Sequence, residues 1–101
     1  MVRATLTITV KPGMEAEFER VWREIAEHVR RNPANVRQTL LRDPDDTRTF
    51  IVTSDWVNRE AFTEFERSPE QDDLTAPIRD LRETGRMAVQ EIVVDVEGGG
   101  R

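Results

Sequence analysis

The chain has 101 residues, a formal charge of −5, a single histidine and no cysteine. The length sets an expectation of one domain over residues 1–97, with a disordered tail at Gly98–Arg101. Mixed charges with an acidic excess argue against a nucleic-acid or anionic membrane partner. The lack of cysteine rules out disulfides, thiolate nucleophiles and thiolate metal sites, and one histidine rules out a multi-histidine site, so no metal is expected. The N-terminus has no basic segment followed by an apolar run, and no stretch approaches the ~20 apolar residues of a membrane span. A cytoplasmic location is expected.

Val2 to Lys11 alternates strictly, with Val2, Ala4, Leu6, Ile8 and Val10 on one side and Arg3, Thr5, Thr7 and Thr9 on the other, which predicts a strand buried on one face. Pro12-Gly13 breaks it. Helical spacing follows from Met14 to Arg31, where Phe18, Val21, Trp22, Ile25 and Val29 form one apolar stripe and Asn32-Pro33 makes the stop. A strand at Val36–Arg42, a turn at Asp43-Pro44-Asp45-Asp46 and a strand at Arg48–Ser54 read as a hairpin. Trp56 then marks a strand-to-helix corner, a common place for a pocket in an open α+β sheet.

The corner leads into a short helix from about Asn58 to Arg67 carrying Ala61, Phe62 and Phe65. Ser68-Pro69-Glu70-Gln71 has the form of an N-cap, a first-turn proline and a capping-box glutamine, so a new helix starts there. Leu74, Ile78 and Leu81 are its buried stripe, Pro77 is expected to split it into two pieces, and Gly85 is read as its C-terminal cap. Met87–Val96 reads as the final strand. The order is ferredoxin-like βαββαβ, of the α+β class, with a four-stranded antiparallel sheet carrying its helices on one face. The run Ile92-Val93-Val94 asks for burial on both faces, and no further helix layer is available to supply it. A homodimer that packs two sheets face to face is the expected solution.

Three stretches carry a resemblance to a known family. Lys11-Pro12-Gly13-Met14-Glu15-Ala16-Glu17-Phe18-Glu19, the corner Asp55-Trp56-Val57-Asn58-Arg59-Glu60-Ala61-Phe62, and Ser68-Pro69-Glu70-Gln71 together resemble the antibiotic biosynthesis monooxygenase family of the dimeric α+β barrel superfamily. The resemblance spans Val2 to Val96. It implies a dimeric α+β barrel and a cofactor-independent monooxygenase that oxidises a phenolic or polycyclic aromatic, polyketide-type substrate with dioxygen. An ionised phenol or anthrone supplies the electrons, and the protein stabilises the oxyanion, holds the ring and excludes water. Quinone-forming members work with a corner tryptophan and an asparagine four residues earlier, and some add a tyrosine six residues later. These positions are Trp56, Val52 and Phe62 here. The haem-degrading branch uses a histidine and an asparagine where this chain has Glu66 and Thr7 or Thr9, which disfavours haem chemistry.

Trp56 is the candidate catalytic anchor, its indole N–H directed at a substrate carbonyl; the alternative is a core plug. His28, at the edge of the first helix's apolar stripe, is the candidate base, against an ordinary surface role. Trp22, Phe62, Phe65 and Val52 are expected to line the cavity. Arg42 is the candidate to hold a phenolate or carboxylate, against pairing with Asp43, Asp45 or Asp46 in the hairpin turn. Two competing functions share the scaffold: an isomerase or cyclase acting on an enol without oxygen, and a non-catalytic dimer that binds a small apolar ligand.

Overall fold

The computed structural model describes residues 1–100. Four strands, β1 (Val2–Val10), β2 (Asn35–Arg42), β3 (Thr49–Trp56) and β4 (Arg82–Glu91), form one antiparallel sheet in the order β2-β3-β1-β4. Helices α1 (Glu15–Val29), α2 (Arg59–Arg67) and α3 (Pro69–Leu81) pack on one face. This is the ferredoxin-like arrangement expected from the sequence, with the second helix in two segments joined at Ser68. Among the described residues no helix is long and apolar enough to cross a membrane.

The alternation of β1 decides which face is covered. Val2, Ala4, Ile8 and Val10 are buried beneath Phe18, Val21, Ile25 and Val29 of α1, and the Phe18 and Phe50 rings meet at 4.8 Å. Burying each of the valine, isoleucine and phenylalanine side chains contributes about 1.5–3 kcal/mol, enough to fix which side of the sheet the helix takes. Gly13 turns the chain into α1 at φ 81°, and its N–H donates to the Glu15 carboxylate at 2.9 Å. A residue with a Cβ would be strained there.

Ser68 handles two helix ends at once. Its hydroxyl donates to the Phe65 carbonyl at the end of α2 (2.8 Å) and accepts from the Gln71 N–H at the start of α3 (3.1 Å). The expected Ser68 N-cap is present, but Gln71 does not close a capping box: the Ser68 N–H donates to the Phe65 carbonyl at 3.1 Å, and Gln71 lines a cavity described below. Pro77 does not split α3, which runs unbroken from Pro69 to Leu81. Its missing N–H would have served the Asp73 carbonyl, and both residues lie on the exposed side, where that carbonyl is open to solvent.

Gly85 is not the cap of α3 but sits within β4 opposite Ile8. The cap comes instead from the far end of β1. Lys11 donates its N–H to the Leu81 carbonyl (2.9 Å) and its Nζ to the Asp80 carbonyl (2.7 Å), putting a cation at the negative end of the helix. With its last carbonyls satisfied this way, α3 passes directly into β4, and the final strand starts at Arg82, five residues before the expected Met87.

The strand also ends sooner than expected. The Ile92 N–H still donates to the Met1 carbonyl at 3.0 Å, but Val93, Val94 and Val96 lie outside the sheet and are 85%, 77% and 80% exposed. Ile92-Val93-Val94 therefore lies beyond the end of β4 and is not part of this chain's sheet. The face away from the helices carries Arg3, Thr5, Thr7 and Thr9 of β1 beside Thr49, Ile51, Thr53 and Asp55 of β3, so it is largely polar.

Candidate functional site

Residues on the helix side of the sheet lie in rows set by strand register. Gln38, Ser54, Ala4 and Val89 form one row, and Leu40, Val52, Leu6 and Met87 the next. Over these rows lies a cavity of about 100 Å³. Trp22, Ile25 and Val29 of α1 wall one side, Phe62, Phe65 and Glu66 of α2 another, and Gln71, Thr75 and Ile78 of α3 a third. Met87 of β4 is 43% exposed and lines the cavity as well.

Trp56, 1% exposed, ends the floor of this cavity. Its ring centroid is 4.8 Å from that of Phe65 and 5.8 Å from that of Phe62, with the rings tilted by 33° and 58°. The three rings make a continuous aromatic wall. The indole Nε1–H donates to the Ser54 hydroxyl oxygen at 3.0 Å. Across the strand, Gln38 donates its Nε2–H to the Ala26 carbonyl of α1 at 3.0 Å, tying the sheet to the helix at the cavity's edge.

Five of the seven residues singled out from the sequence, Trp56, Trp22, Phe62, Phe65 and Val52, meet around this cavity. His28 is exposed and lines a separate outer depression of about 480 Å³ between the end of α1 and helices α2 and α3. Val29, Phe65 and Gln71 line both spaces and form the partition between them. Arg42 is exposed and pairs with Phe50, six residues from Trp56 along β3, roughly 20 Å away at the rise of a strand. It therefore lies outside the cavity.

The hairpin aspartates are committed to the turn. Asp43 accepts from the Asp45 N–H (2.8 Å), and Asp46 accepts from the Arg48 N–H (3.1 Å) and the Thr49 hydroxyl (2.7 Å). The Thr49 hydrogen bond is the main reason the Asp46 carboxyl is held below the usual aspartate value.

Ser54, Gln38, Thr75 and Gln71 also line the cavity and are not among the site residues singled out from the sequence. The signal for Ser54 was available, since two residues before Trp56 on a strand is the same face. Gln38 needed the hairpin register. Glu66 is the carboxylate that lines the cavity. Among the described residues, no group of three or more histidine, cysteine, aspartate or glutamate side chains is gathered to hold a metal.

A ferredoxin-like sheet with a cavity closed by helices and built on a corner tryptophan defines a class of small α+β proteins. Residues 1–76 match the family model described as antibiotic biosynthesis monooxygenase, and the chain belongs to that family. It is similar to deoxynogalonate monooxygenase of Streptomyces nogalater, with 38% identity over 50 residues. The match spans 50% of this chain and 42% of that protein. In structure it is similar to SnoaB, a cofactor-independent oxygenase from Streptomyces nogalater, at a TM-score of 0.85 and 27% identity, covering 96% of this chain and 97% of the other. A conserved protein from Methanosarcina mazei Go1 shares the fold at a TM-score of 0.81 and 11% identity, covering 88% and 89% of the two chains.

Proposed function

We propose that this protein is a cofactor-independent monooxygenase that oxidises a phenolic or polycyclic aromatic substrate with dioxygen in the Trp56 cavity. The observation that carries the reading is the wall of Trp56, Phe62 and Phe65 around a cavity that also holds the polar side chains of Ser54 and Gln38 on its floor. Such a wall suits a flat ring and excludes water. Membership of the family and similarity to SnoaB support the oxygenase chemistry.

The electron balance needs no outside reductant. Turning a ring CH2 flanked by aryl groups into a carbonyl releases four electrons. Dioxygen accepts four when one atom enters the product and the other leaves as water. The protein's part is to bind the ionised substrate, hold it flat against the aromatic wall and stabilise its oxyanion. At about 100 Å³ the cavity is below the ~300 Å³ typical of drug-sized ligands, so a polycyclic substrate enters only if side chains such as Met87 and Phe65 move.

A homodimer belongs to the same proposal. The exposed valines Val93, Val94 and Val96 form an apolar strip that a second copy would cover. Sedimentation at micromolar concentration should give twice the chain mass; a monomer would sink this part.

The experiment is oxygen uptake by purified, metal-free protein with an anthrone or a dihydroxynaphthalene, alongside Trp56→Ala and a blank without protein. Uptake above the blank that falls at least tenfold in the variant, beyond any loss of folded protein, is expected. A second reading, a non-catalytic ligand-binding protein, draws on the Trp56 N–H being already engaged by Ser54. Tryptophan quenching by the aromatic without oxygen uptake would favour it. Turnover that persists under nitrogen would point to an isomerase or cyclase.

A further inference from the structure

We infer that Ser54, rather than Trp56, donates the hydrogen bond to the substrate's carbonyl or phenolate oxygen, and that Trp56 acts on that oxygen only through Ser54. This rests on the reading of the cavity as the site of an aromatic ligand.

An indole has one N–H and no acceptor. In Trp56 that N–H is spent on Ser54 Oγ at 3.0 Å, inside a cavity where Trp56 is 1% exposed. A serine oxygen that accepts still has its own proton to give. Ser54 lies on the same cavity floor, one row from Val52 and directly opposite Gln38. Accepting from the indole polarises the serine O–H and makes it a stronger donor, as in any chain of hydrogen bonds at low dielectric.

The other donors near the floor are less suited. Gln38 directs an Nε2–H to the Ala26 carbonyl of α1, Thr75 gives its hydroxyl proton to the Gln71 carbonyl at 2.9 Å, and Gln71 is carried by α3 on the opposite wall. Glu66 of α2 is the carboxyl group that lines the same cavity, and it is present in wild type and in every variant below, so differences between them report Ser54 and Trp56. Ser54 sits mid-strand between β1 and β2, and a donor on such a rigid element holds its direction as charge develops. Val52 has no hydrogen bond to offer, so Ser54 provides the polar contact of this part of the floor. The ligand it fits is an aromatic ring bearing an oxygen that ionises.

The test uses 2-hydroxyanthraquinone, which changes colour on ionisation and is already at the quinone level, titrated into the full chain under nitrogen. Wild type should bind it more tightly than anthraquinone and lower the pH at which the bound phenol ionises. Ser54→Ala should weaken binding roughly tenfold or more and raise that ionisation by about a pH unit. Ser54→Thr should restore both, and Trp56→Phe, which keeps a ring and removes the N–H, should lose less than Ser54→Ala. If Trp56→Phe abolishes the effect while Ser54→Ala leaves it intact, the indole contacts the ligand directly and the inference is overturned. Equal affinity for the hydroxylated and unhydroxylated quinones would overturn it too. Oxygen plays no part in this titration, so a Ser54-dependent result without oxygen uptake would defeat the oxygenase reading and leave this one standing.

Discussion

Arg3 grips Asp55 across β1 and β3 with both arms of its guanidinium, Nε to Oδ1 at 2.7 Å and Nη2 to Oδ2 at 3.0 Å. The pair lies on the sheet face away from the helices, and Asp55 is 6% exposed there, one residue before the tryptophan that ends the cavity floor. The hydrogen bond to Asp55 is also the first cause of the raised Arg3 pKa, with the attraction between the two charges second. A raised pKa on a base means that its stabilisation is complete below the unfolded value and fades only as pH rises through the folded one. That lies far into alkali, so the Arg3 charge is constant at working pH.

Arg3→Ala leaves a buried carboxylate without its cation. The expected cost is about 1–3 kcal/mol, toward the lower end because the Arg3 side chain is 43% exposed. Arg3→Ala combined with Asp55→Ala should cost less than the sum of the two single changes. Urea denaturation of the four proteins gives the coupling directly, and additive losses would show that the pair does not act as a unit.

Ser68→Ala removes a donor to the end of α2 and an acceptor from the start of α3 in one step. A loss of about 1 kcal/mol is expected, seen as a lower denaturation midpoint at unchanged slope. An unchanged midpoint would mean that water replaces both bonds without cost.

Asp46 provides a pH signature for the hairpin turn. Its carboxyl is held below 3.8, first by the Thr49 hydroxyl and then by the Arg48 N–H. For an acid with a lowered folded pKa, the stabilisation is present above the unfolded value and lost as pH falls through the folded one. The stability gap between wild type and Asp46→Asn should therefore be constant above the ordinary aspartate range and narrow as pH falls below it. A gap that does not change with pH would assign the effect to turn geometry and not to charge.

What the sequence made legible was local. The alternation of Val2 to Val10, the apolar stripe of α1 and the Ser68-Pro69 start each depend on residues a few positions apart. The end of α3 depended instead on Lys11, 69 positions from the Asp80 carbonyl it caps, so Gly85 took the blame for a stop it does not make. The cavity shows the same division. Its aromatic wall was readable from spacing around Trp56, whereas the Gln38–Ser54 row appears only once β2 and β3 are in register. His28 belongs to the same helix as Trp22 and Val29, but its position turns it to the outer side of the partition formed by Phe65 and Gln71.

Because the Met1 carbonyl accepts from the Ile92 N–H at 3.0 Å, the start of β1 and the end of β4 meet at a single corner of the sheet. Topologically the fold is almost a closed loop. A linker of a few residues there would make a circular permutant practicable, with new ends opened in the exposed turn between Pro44 and Thr47, at the opposite end of β3 from Trp56.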